Sequence, residues 1–442
     1  MGELWKVLGR LSATTMRNLF KSIFMMLLMA SFSQCVPPEN SSSNRPKDSL
    51  TQATAPNAVD TISEPSPEVA PEIPNEEPEP IRPSERAKSN SVAEVKPVPS
   101  LETKPSTSPN TVPASRSRVS KKELKNVLPF KLGAAVKASG MLRDKSHKAV
   151  FYKYFNSITL ENAMKMGQLQ PRKGYFDFKT ADAIVNDALK KGVRVHGHCL
   201  VWRNVPAWVK NFKGDKADWE NLLETHIKTV VKHFKGRVTS WDVVNEFFKK
   251  GGGLEAANRN IWIEKIGEDV INKAFIWAHE ADPDALLFYN DFDLQYTNKK
   301  TQSCYDWAKS CKAKGIPLHG IGNQMHTDVN LNLGEFERNT RRFANLGLLI
   351  HLSELDVRAG AATLNPAQEQ KKAKTYSEIF RIYSKVVKPK QRYGITTWGV
   401  GKADWYLNAD AGKGKSVDDP LLLSDKMEET PAYMKLLKDF GN

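Results

Sequence analysis

The chain has 442 residues, of which 40% are hydrophobic and 26% are charged, and its formal net charge at pH 7 is +15. This length is compatible with two medium domains or with one large domain, because single domains of about 250 residues are common. The positive charge could attract nucleic acid, but the lysines are scattered, as at Lys371, Lys372 and Lys374, and the sequence has no arginine-rich helix. We therefore expect no nucleic-acid partner.

The first 35 residues have the pattern of an export signal. Arg17 and Lys21 precede a short apolar run over residues 23–30, and small or polar residues lead from it to Cys35. The run is too short to span a bilayer as a mature helix. Because a cysteine at this point resembles a bacterial lipobox, we expect an exported lipoprotein, attached to the membrane through a lipid on Cys35. Cleavage by the ordinary signal peptidase, which would give a secreted protein, is the alternative.

Residues 36–120 are rich in proline, serine and glutamate, as in the stretch 71–80, and contain few aromatic side chains. Such a segment cannot bury enough apolar surface to offset the entropy lost on ordering. It is therefore predicted to be a disordered linker that is partly extended.

From residue 121 to residue 442, short β-rich runs alternate with longer amphipathic ones. Residues 181–189 and 219–234 carry apolar side chains at three- and four-residue spacings, and Gly192 and Gly236 follow as helix stops. Eight strands alternating with helices predict a (β/α)8 TIM barrel. A doubly wound open sheet is the alternative, but the first strand candidate offers only one glycine for a phosphate-binding loop. The strand candidates are 131–136, 157–162, 194–200, 240–245, 285–290, 320–325, 348–355 and 394–400.

Three cysteines, Cys199, Cys304 and Cys311, fall in this C-terminal part of the chain. Cys304 and Cys311 are seven residues apart in a helix-like segment, a rise of about 10 Å that a disulfide cannot bridge without breaking the helix. We therefore expect free, mostly buried thiols. Neither metal-ligand spacing nor a phosphate loop is present, so no metal site and no cofactor are predicted.

In a barrel of this kind the active site lies at the C-terminal ends of the strands, so polar residues that follow an apolar run are the candidates. The fourth strand ends in Asn245 and Glu246, and the seventh brings Glu354 to the same rim. Cleavage of a glycosidic bond needs two carboxyls, one protonated to donate to the leaving oxygen and one ionised to attack the anomeric carbon. A separation of about 5–5.5 Å gives a covalent intermediate and retained configuration. The surroundings of the two groups must therefore split their pKa values.

Several motifs occur in order along the chain and resemble the successive signatures of glycoside hydrolase family 10. This resemblance covers about residues 130–440 and implies a retaining endo-1,4-β-xylanase, with Glu246 as acid/base and Glu354 as nucleophile. The implied partner is a polysaccharide, xylan or xylo-oligosaccharides, and we expect a monomer. The motifs are Phe155–Lys165, Gly197–Trp202, Trp241–Glu246, Tyr289–Asp291, Gly322–His326, Ser353–Val357, Thr397–Val400 and Pro420–Leu423.

The resemblance also implies roles for further residues. His326 and Asp356 match a hydrogen-bonding group that orients the nucleophile and keeps it ionised. Asn245 matches the residue that bonds the sugar 2-hydroxyl, so it should affect turnover more than binding. Trp398 and Trp405 match an aromatic platform on which sugar rings stack. The other implied sugar contacts are Glu161, Asn162, Lys165, His198, Trp202 and Gln324.

Three departures from the family pattern cluster around the glycone-side subsites. After Trp202 the chain continues with residues 203–206, one position shorter than usual and without the usual glutamine. The segment between Trp398 and Trp405 is also one residue shorter, and Met166 replaces a common tryptophan. We interpret these changes as retained chemistry with a shifted substrate preference.

Two other functions stay open at this stage. The same retaining chemistry could act on another β-1,4 glycan or on decorated oligosaccharides, with Arg203 and Lys402 favouring an acidic substituent such as glucuronic acid. Alternatively, the anchor, the spacer and the altered loops fit a surface carbohydrate-binding lipoprotein with weakened activity. The presence of both Glu246 and Glu354 argues against a pure binding protein.

Overall fold

The structure, a computed structural model, describes residues 122–410 and 417–441. The predicted export signal, the linker and Cys35 lie outside these residues, so the expectations for them stay predictions. Within the described ranges, the helices are all too short or too polar to cross a bilayer.

The described strands form one closed parallel sheet. β1 pairs with β2 and β9, and β6 pairs with β5 and β8, so the sheet closes into a barrel. The short β7 follows β6 and pairs only with β8. Eight strand positions with intervening helices confirm the predicted (β/α)8 barrel. The strands are β1 Lys131–Val136, β2 Ser157–Leu160, β3 Arg194–Val201, β4 Ser240–Asn245, β5 Leu286–Asp291, β6 Gly320–Asn323, β7 His326–Asp328, β8 Leu349–Arg358 and β9 Arg392–Thr397.

The sixth strand position differs from the prediction, which placed one strand over residues 320–325. The strand ends at Asn323, because the backbone of Met325 lies in the left-handed region with φ +62° and turns the chain. Pairing then resumes between His326 and Asp356. The turn therefore sets His326 beside the predicted nucleophile strand.

Helices cover the outside of the barrel. Helix α7 (Lys216–Phe234) shows how the sequence sets the ends of a helix: Asp215 and Asp218 form a capping box at its start, and Gly236, with φ +73°, follows its end. The two helices predicted at 181–189 and 219–234 are confirmed as α5 and α7. The α-helices are α1 Leu124–Val127, α2 Ala138–Arg143, α3 Lys145–Tyr154, α4 Met166–Leu169, α5 Lys179–Lys190, α6 Ala207–Lys210, α7 Lys216–Phe234, α8 Ile261–Ile266, α9 Val270–Ala281, α10 Lys299–Lys314, α11 Leu333–Asn345, α12 Pro366–Val386, α13 Tyr406–Asp410 and α14 Pro431–Phe440.

The core fills the space between the strands and these helices, and close backbone approach requires glycine at some positions. A Cβ atom on Gly197 of β3 would lie 2.2 Å from the Trp241 ring, so the two neighbouring strands pack only because the side chain is missing. The three cysteines of this part are free and buried, as predicted, and Cys304 and Cys311 share helix α10.

Candidate active site

The two candidate carboxyls meet at the C-terminal rim of the barrel, where Asn290 of β5 contacts both residues. The backbone N–H of Glu246 donates to the Asn290 carbonyl over 2.9 Å. The Asn290 side-chain amide donates to Glu354 Oε1 over 2.7 Å. Glu246 follows β4 directly and Glu354 lies within β8. One residue of an intervening strand therefore fixes the relative position of the two glutamates.

The Glu246 carboxylate has partners on both oxygens. Trp202 Nε1–H donates to Oε2 over 2.9 Å, and the Gln324 side-chain amide donates to Oε1 over 3.1 Å. The Arg203 guanidinium lies 3.5 Å from Oε2. The carboxylate is thus oriented by two neutral donors and faces one permanent positive charge.

These partners decide the protonation of Glu246 in the free protein. Burial favours its neutral form, but the charge of Arg203 and the hydrogen bonds from Gln324 and Trp202 outweigh burial and lower the pKa of Glu246 below its ordinary value. The sequence-based mechanism requires one carboxyl that is protonated near neutral pH. The free chain therefore holds its candidate acid in the ionised form.

Glu354 has a different environment. It is 4% exposed, and besides the Asn290 amide it faces His326, whose Nε2 lies 3.3 Å from Oε2. Its backbone N–H donates to the Gln324 carbonyl over 3.0 Å, so the same residue that contacts Glu246 also holds the backbone of Glu354. The Glu354 carboxyl therefore faces a histidine, whereas the Glu246 carboxyl faces an arginine.

His326 is held by Asp356, two residues beyond Glu354. Its Nδ1 lies 2.7 Å from Asp356 Oδ2. Burial disfavours the imidazolium, but the carboxylates of Asp356 and Glu354 outweigh burial and hold the pKa of His326 well above its ordinary value. A protonated His326 can donate to both carboxylates at once, which is the arrangement that the resemblance implied.

Asn245 lies next to Glu246 and shares the same hydrogen-bond network. Asn290 Nδ2 donates to Asn245 Oδ1 over 2.9 Å, and Ser353 Oγ donates to Asn290 Oδ1 over 2.6 Å. The hydroxyl of Ser353 thereby fixes which way the Asn290 amide points. The oxygen end of Asn245 is engaged, so its amide nitrogen is the end that can meet a sugar hydroxyl.

The predicted sugar contacts after β2 form a connected chain. Lys165 Nζ donates to Asn162 Oδ1 over 3.0 Å, and Asn162 Nδ2 donates to Glu161 Oε1 over 3.2 Å. Lys165 also lies 4.8 Å from the centre of the Trp202 ring. Burial raises the pKa of Glu161, and the charges of Lys137 and Lys165 only partly oppose it. The structure thus places Lys165 beside Trp202, which donates a hydrogen bond to Glu246.

His198 is oriented from within the barrel. Its Nδ1 lies 2.9 Å from Asp242 Oδ2, and the other oxygen of Asp242 lies 3.0 Å from His196 Nε2. The His198 ring packs edge-on to Trp398 with ring centres 5.3 Å apart. The sequence alone predicts no role for Asp242, although it lies within β4, four residues before Glu246.

Trp405 has a contact that the sequence did not predict. Its Nε1–H donates to Asp356 Oδ2 over 2.8 Å, the oxygen that also faces His326. It is 1% exposed, compared with 8% for Trp398, so little of its surface can meet a sugar in the free protein. The stacking role stays a prediction for both tryptophans. Tyr406 is half-buried next to the same histidine, with ring centres 5.6 Å apart.

The site contains two further differences from the sequence-based picture. Lys402 donates to the Ala362 carbonyl, so its charge is used to hold a loop. Asn290 and Ser353 belong to two of the family motifs, but the sequence alone predicts no role for either. The position of Asn290 between the polar residues Tyr289 and Asp291, at the end of a strand, was the signal that could have found it.

Comparison with known proteins gives an independent test of the resemblance. The model of the family described as Glycosyl hydrolase family 10 matches residues 121–439. Endo-1,4-beta-xylanase B of Thermotoga neapolitana is 37% identical over 286 residues, 64% of this chain and 80% of that protein. Beta-1,4-xylanase of Dictyoglomus thermophilum is 37% identical over 322 residues, 70% of this chain and 88% of that protein. Exoglucanase XynX of Acetivibrio thermocellus is 36% identical over 320 residues, 69% of this chain but only 28% of that much longer protein.

Solved structures agree with these matches. Xylanase 10B from Thermotoga petrophila RKU-1, crystallised in complex with xylobiose, superposes with a TM-score of 0.68 at 34% identity and covers 74% of this chain and 99% of its own. Native xylanase 10C from Cellvibrio japonicus superposes with a TM-score of 0.69 at 31% identity, with 75% of each chain covered.

Proposed function

The chain belongs to glycosyl hydrolase family 10, and on this premise we propose that it is an endo-1,4-β-xylanase that hydrolyses xylan or xylo-oligosaccharides with retention of configuration. The observation that carries the proposal is the double contact of Asn290, which holds Glu246 and Glu354 at one rim in different environments. Two carboxyls with different partners are what double displacement at an anomeric carbon requires. The relatives named as xylanases support the choice of xylan.

In the first step, Glu354 Oε attacks the anomeric carbon and forms a glycosyl ester. The bond from that carbon to the glycosidic oxygen breaks, and the leaving oxygen takes a proton from Glu246. The amide of Asn290 and the imidazolium of His326 orient the attacking carboxylate. The sugar on the leaving side then departs as an alcohol.

In the second step, the ionised Glu246 takes a proton from water, and the water oxygen attacks the anomeric carbon. The ester bond breaks, Glu354 is released as a carboxylate, and the sugar leaves with its original configuration. The lowered pKa of Glu246 suits this step, because the group must then act as a base.

The first step requires the opposite protonation state of Glu246. A sugar bound over the carboxyl removes water from it, and desolvation favours the neutral form of a carboxylic acid. Binding of substrate is therefore proposed to raise the pKa of Glu246 from the lowered value in the free protein. Arg203, at 3.5 Å, opposes this rise in pKa and therefore limits the pH range in which Glu246 is protonated.

Asn245 is proposed to bond the 2-hydroxyl of the reacting sugar through its amide nitrogen. Positive charge develops at the anomeric centre in the transition state, so a bond to the neighbouring hydroxyl strengthens as the reaction proceeds. The bond from Asn290 to Asn245 Oδ1 sets the amide in advance. The residue should therefore contribute to turnover more than to ground-state binding.

The site of action is also a proposal. The basic start, the apolar run and Cys35 in the first 35 residues support export followed by lipid attachment at the cell surface or the periplasmic side of a membrane. The intact mass of the protein from the membrane fraction tests this idea. A chain that starts at Cys35 and carries diacylglycerol mass is expected, and the same chain without lipid would remove the anchor from the proposal.

Reducing-sugar release from xylan, glucan and mannan tests the activity directly. Release is expected to be selective for xylan and to be lost in Glu354→Ala and Glu246→Ala. Well-folded parent protein that releases sugar from none of these glycans would contradict the proposal and favour a binding role.

A further inference from the structure

We propose that a buried cluster of Tyr289, Asp291 and Lys300 positions Glu246 for proton transfer by fixing the two backbone amides that follow it. The inference rests on the proposed function, in which Glu246 is the acid/base. All three side chains are fully buried, and their contacts reach Glu246 through the main chain. They are therefore positioning residues.

The starting observation is the backbone of Glu246, which has φ +59°. Residues other than glycine rarely adopt this left-handed backbone conformation, and it persists only where the surrounding structure imposes it. On the N-terminal side, the bond from Glu246 N–H to the Asn290 carbonyl supplies one constraint. A second constraint must act on the residues that follow Glu246.

Tyr289 supplies the second constraint. Its hydroxyl oxygen accepts from the N–H of Phe247 over 2.9 Å and from the N–H of Phe248 over 3.2 Å. A phenol oxygen can accept two hydrogen bonds only if its own proton is donated elsewhere. That proton goes to Asp291 Oδ2. The Tyr289 oxygen can therefore accept from both amides only while Asp291 accepts the proton of the Tyr289 hydroxyl.

Asp291 is kept as an acceptor by Lys300. Lys300 Nζ lies 2.6 Å from Asp291 Oδ1, and both side chains are 0% exposed. Burial raises the pKa of Asp291 to about 6, although Lys300 opposes this rise. At neutral pH the carboxyl is thus mostly ionised, and an ionised carboxylate can only accept hydrogen bonds. The direction of donation runs from Lys300 and Tyr289 to Asp291, which leaves the phenol oxygen to the two amides.

The two faces of strand β5 separate the residues that support the segment after Glu246 from the residue that contacts Glu354. Successive side chains of a strand point to opposite faces, so Tyr289 and Asp291 share one face and Asn290 lies on the other. Asn290 bonds Glu354, whereas its two neighbours hold the segment after Glu246. A change in Tyr289 should therefore disturb the acid and leave the nucleophile in place.

The decisive experiment uses Tyr289→Phe in the full chain and two aryl β-xylobiosides, one with phenol and one with 2,4-dinitrophenol as leaving group. Dinitrophenolate departs without protonation, so its release does not need an acid, whereas phenol release does. We expect kcat/KM for the phenyl glycoside to fall about 10- to 100-fold, because a small misplacement of a catalytic group costs this much. We expect kcat/KM for the dinitrophenyl glycoside to fall far less.

Tyr383→Phe is the matched control. Tyr383 is also fully buried, and its hydroxyl donates to the Ile350 carbonyl and accepts from the Gly394 N–H, near the starts of β8 and β9. It loses the same group at the opposite end of the barrel, so its two kcat/KM values should fall by equal factors. The inference would be overturned if kcat/KM of Tyr289→Phe fell by equal factors for the two glycosides, or fell for neither of them.

Poor folding of the variant does not spoil the measurement. The ratio of two kcat/KM values from one preparation is independent of the fraction of active protein. Asp291→Asn provides a second variant with a side chain of the same size. Its amide NH2, directed at Tyr289, would reverse the hydrogen bond between the two residues. The ratio of kcat/KM for the phenyl and dinitrophenyl glycosides should therefore change in the same direction as in Tyr289→Phe. If the unsubstituted chain hydrolyses neither glycoside, the proposed function itself fails, and the inference fails with it.

Discussion

Arg203 Nη2 lies 3.5 Å from Oε2 of Glu246, so a permanent positive charge faces the carboxyl that must carry a proton in the first step. Among the charges that lower the pKa of Glu246, Arg203 acts most strongly. The guanidinium also belongs to the segment that is one residue shorter than the family pattern. The altered loop therefore acts on the chemistry as well as on the shape of the site.

Replacing Arg203 by methionine should move the alkaline limb of the pH profile for kcat/KM to higher pH. This limb reports loss of the proton from the acid, and removal of the positive charge raises the pKa of Glu246. Arg203→Lys keeps the charge and should leave the limb nearly where it is. A limb that stays in place or moves to lower pH in Arg203→Met would contradict this reading of the contact.

The roles of the two glutamates can be separated with azide. In Glu246→Ala the proton donor is lost but the ester still forms, so azide should restore turnover of a dinitrophenyl glycoside and give the β-glycosyl azide. In Glu354→Ala azide replaces the nucleophile directly and should give the α-glycosyl azide. NMR of the products distinguishes the two configurations, and the opposite pair of products would exchange the proposed roles.

Loss of the Asp356 charge should lower the pKa of His326. Asp356 is the largest cause that raises this pKa, and burial then acts with less opposition. We expect the imidazole of His326 in Asp356→Asn to titrate at lower pH, and kcat to fall about 10- to 100-fold as the ring loses its orientation. NMR titration of labelled histidine measures the first effect. An unchanged titration would show that another group sets the charge of His326.

The same pKa makes a prediction about stability. Because the pKa of His326 is raised on folding, the imidazolium contributes stability that is fully present below the unfolded pKa and is lost as pH rises through the folded pKa. The difference in unfolding free energy between the parent and His326→Gln should therefore shrink between pH 6.5 and strongly alkaline pH. Urea denaturation at a series of pH values tests this, and a difference that grows with pH would be the wrong sign.

Asn245→Ala should lower kcat/KM for xylosides by about 100-fold, the usual cost of removing one donor aimed at a transition state. A 2-deoxy xyloside lacks the hydroxyl that Asn245 is proposed to meet, so the parent and the variant should hydrolyse it at similar rates. Equal losses on both substrates would mean that Asn245 acts by holding the site through Asn290.

Gly197→Ala should destabilise the barrel by about 1–3 kcal/mol, the usual cost of overpacking a core. The added Cβ would lie 2.2 Å from the Trp241 ring, and both strands would have to shift. Gly167→Ala is the control, because its added Cβ would meet its nearest neighbour only at 4.0 Å. Thermal unfolding of the two variants compares the effects, and equal stability of both would contradict the close packing of β3 and β4.

The barrel could be predicted from the sequence because eight apolar runs alternate with amphipathic ones, a pattern that few folds produce. Glu246 and Glu354 could be predicted because each stands at the end of such a run. The bond between Trp405 and Asp356 could not be predicted in this way. Its geometry depends on how a shortened loop closes, and periodicity carries no information about loop closure.

The pairing of Arg203 with Glu246 was missed for a related reason. The sequence predicts Arg203 as a contact for an acidic substituent, because it gives only the place of this residue near the mouth of the site. Whether a long side chain turns toward a substrate or toward a neighbouring carboxylate depends on distances across strands. The structure places it within 3.5 Å of the carboxylate.

The loop that carries Trp405 contacts two separate parts of the molecule, strand β8 and helix α3. Trp405 bonds the carboxylate that holds His326, and the preceding Asp404 lies 2.9 Å from His147 on helix α3. A mutation that reshapes this loop to admit a new side group would also move a partner of the group that supports the nucleophile. In an evolving population, substrate preference and the rate of hydrolysis could not then be selected separately. New substrate specificities along this lineage should therefore first arise in enzymes with slower hydrolysis, and these enzymes should regain rate through later changes elsewhere in the chain.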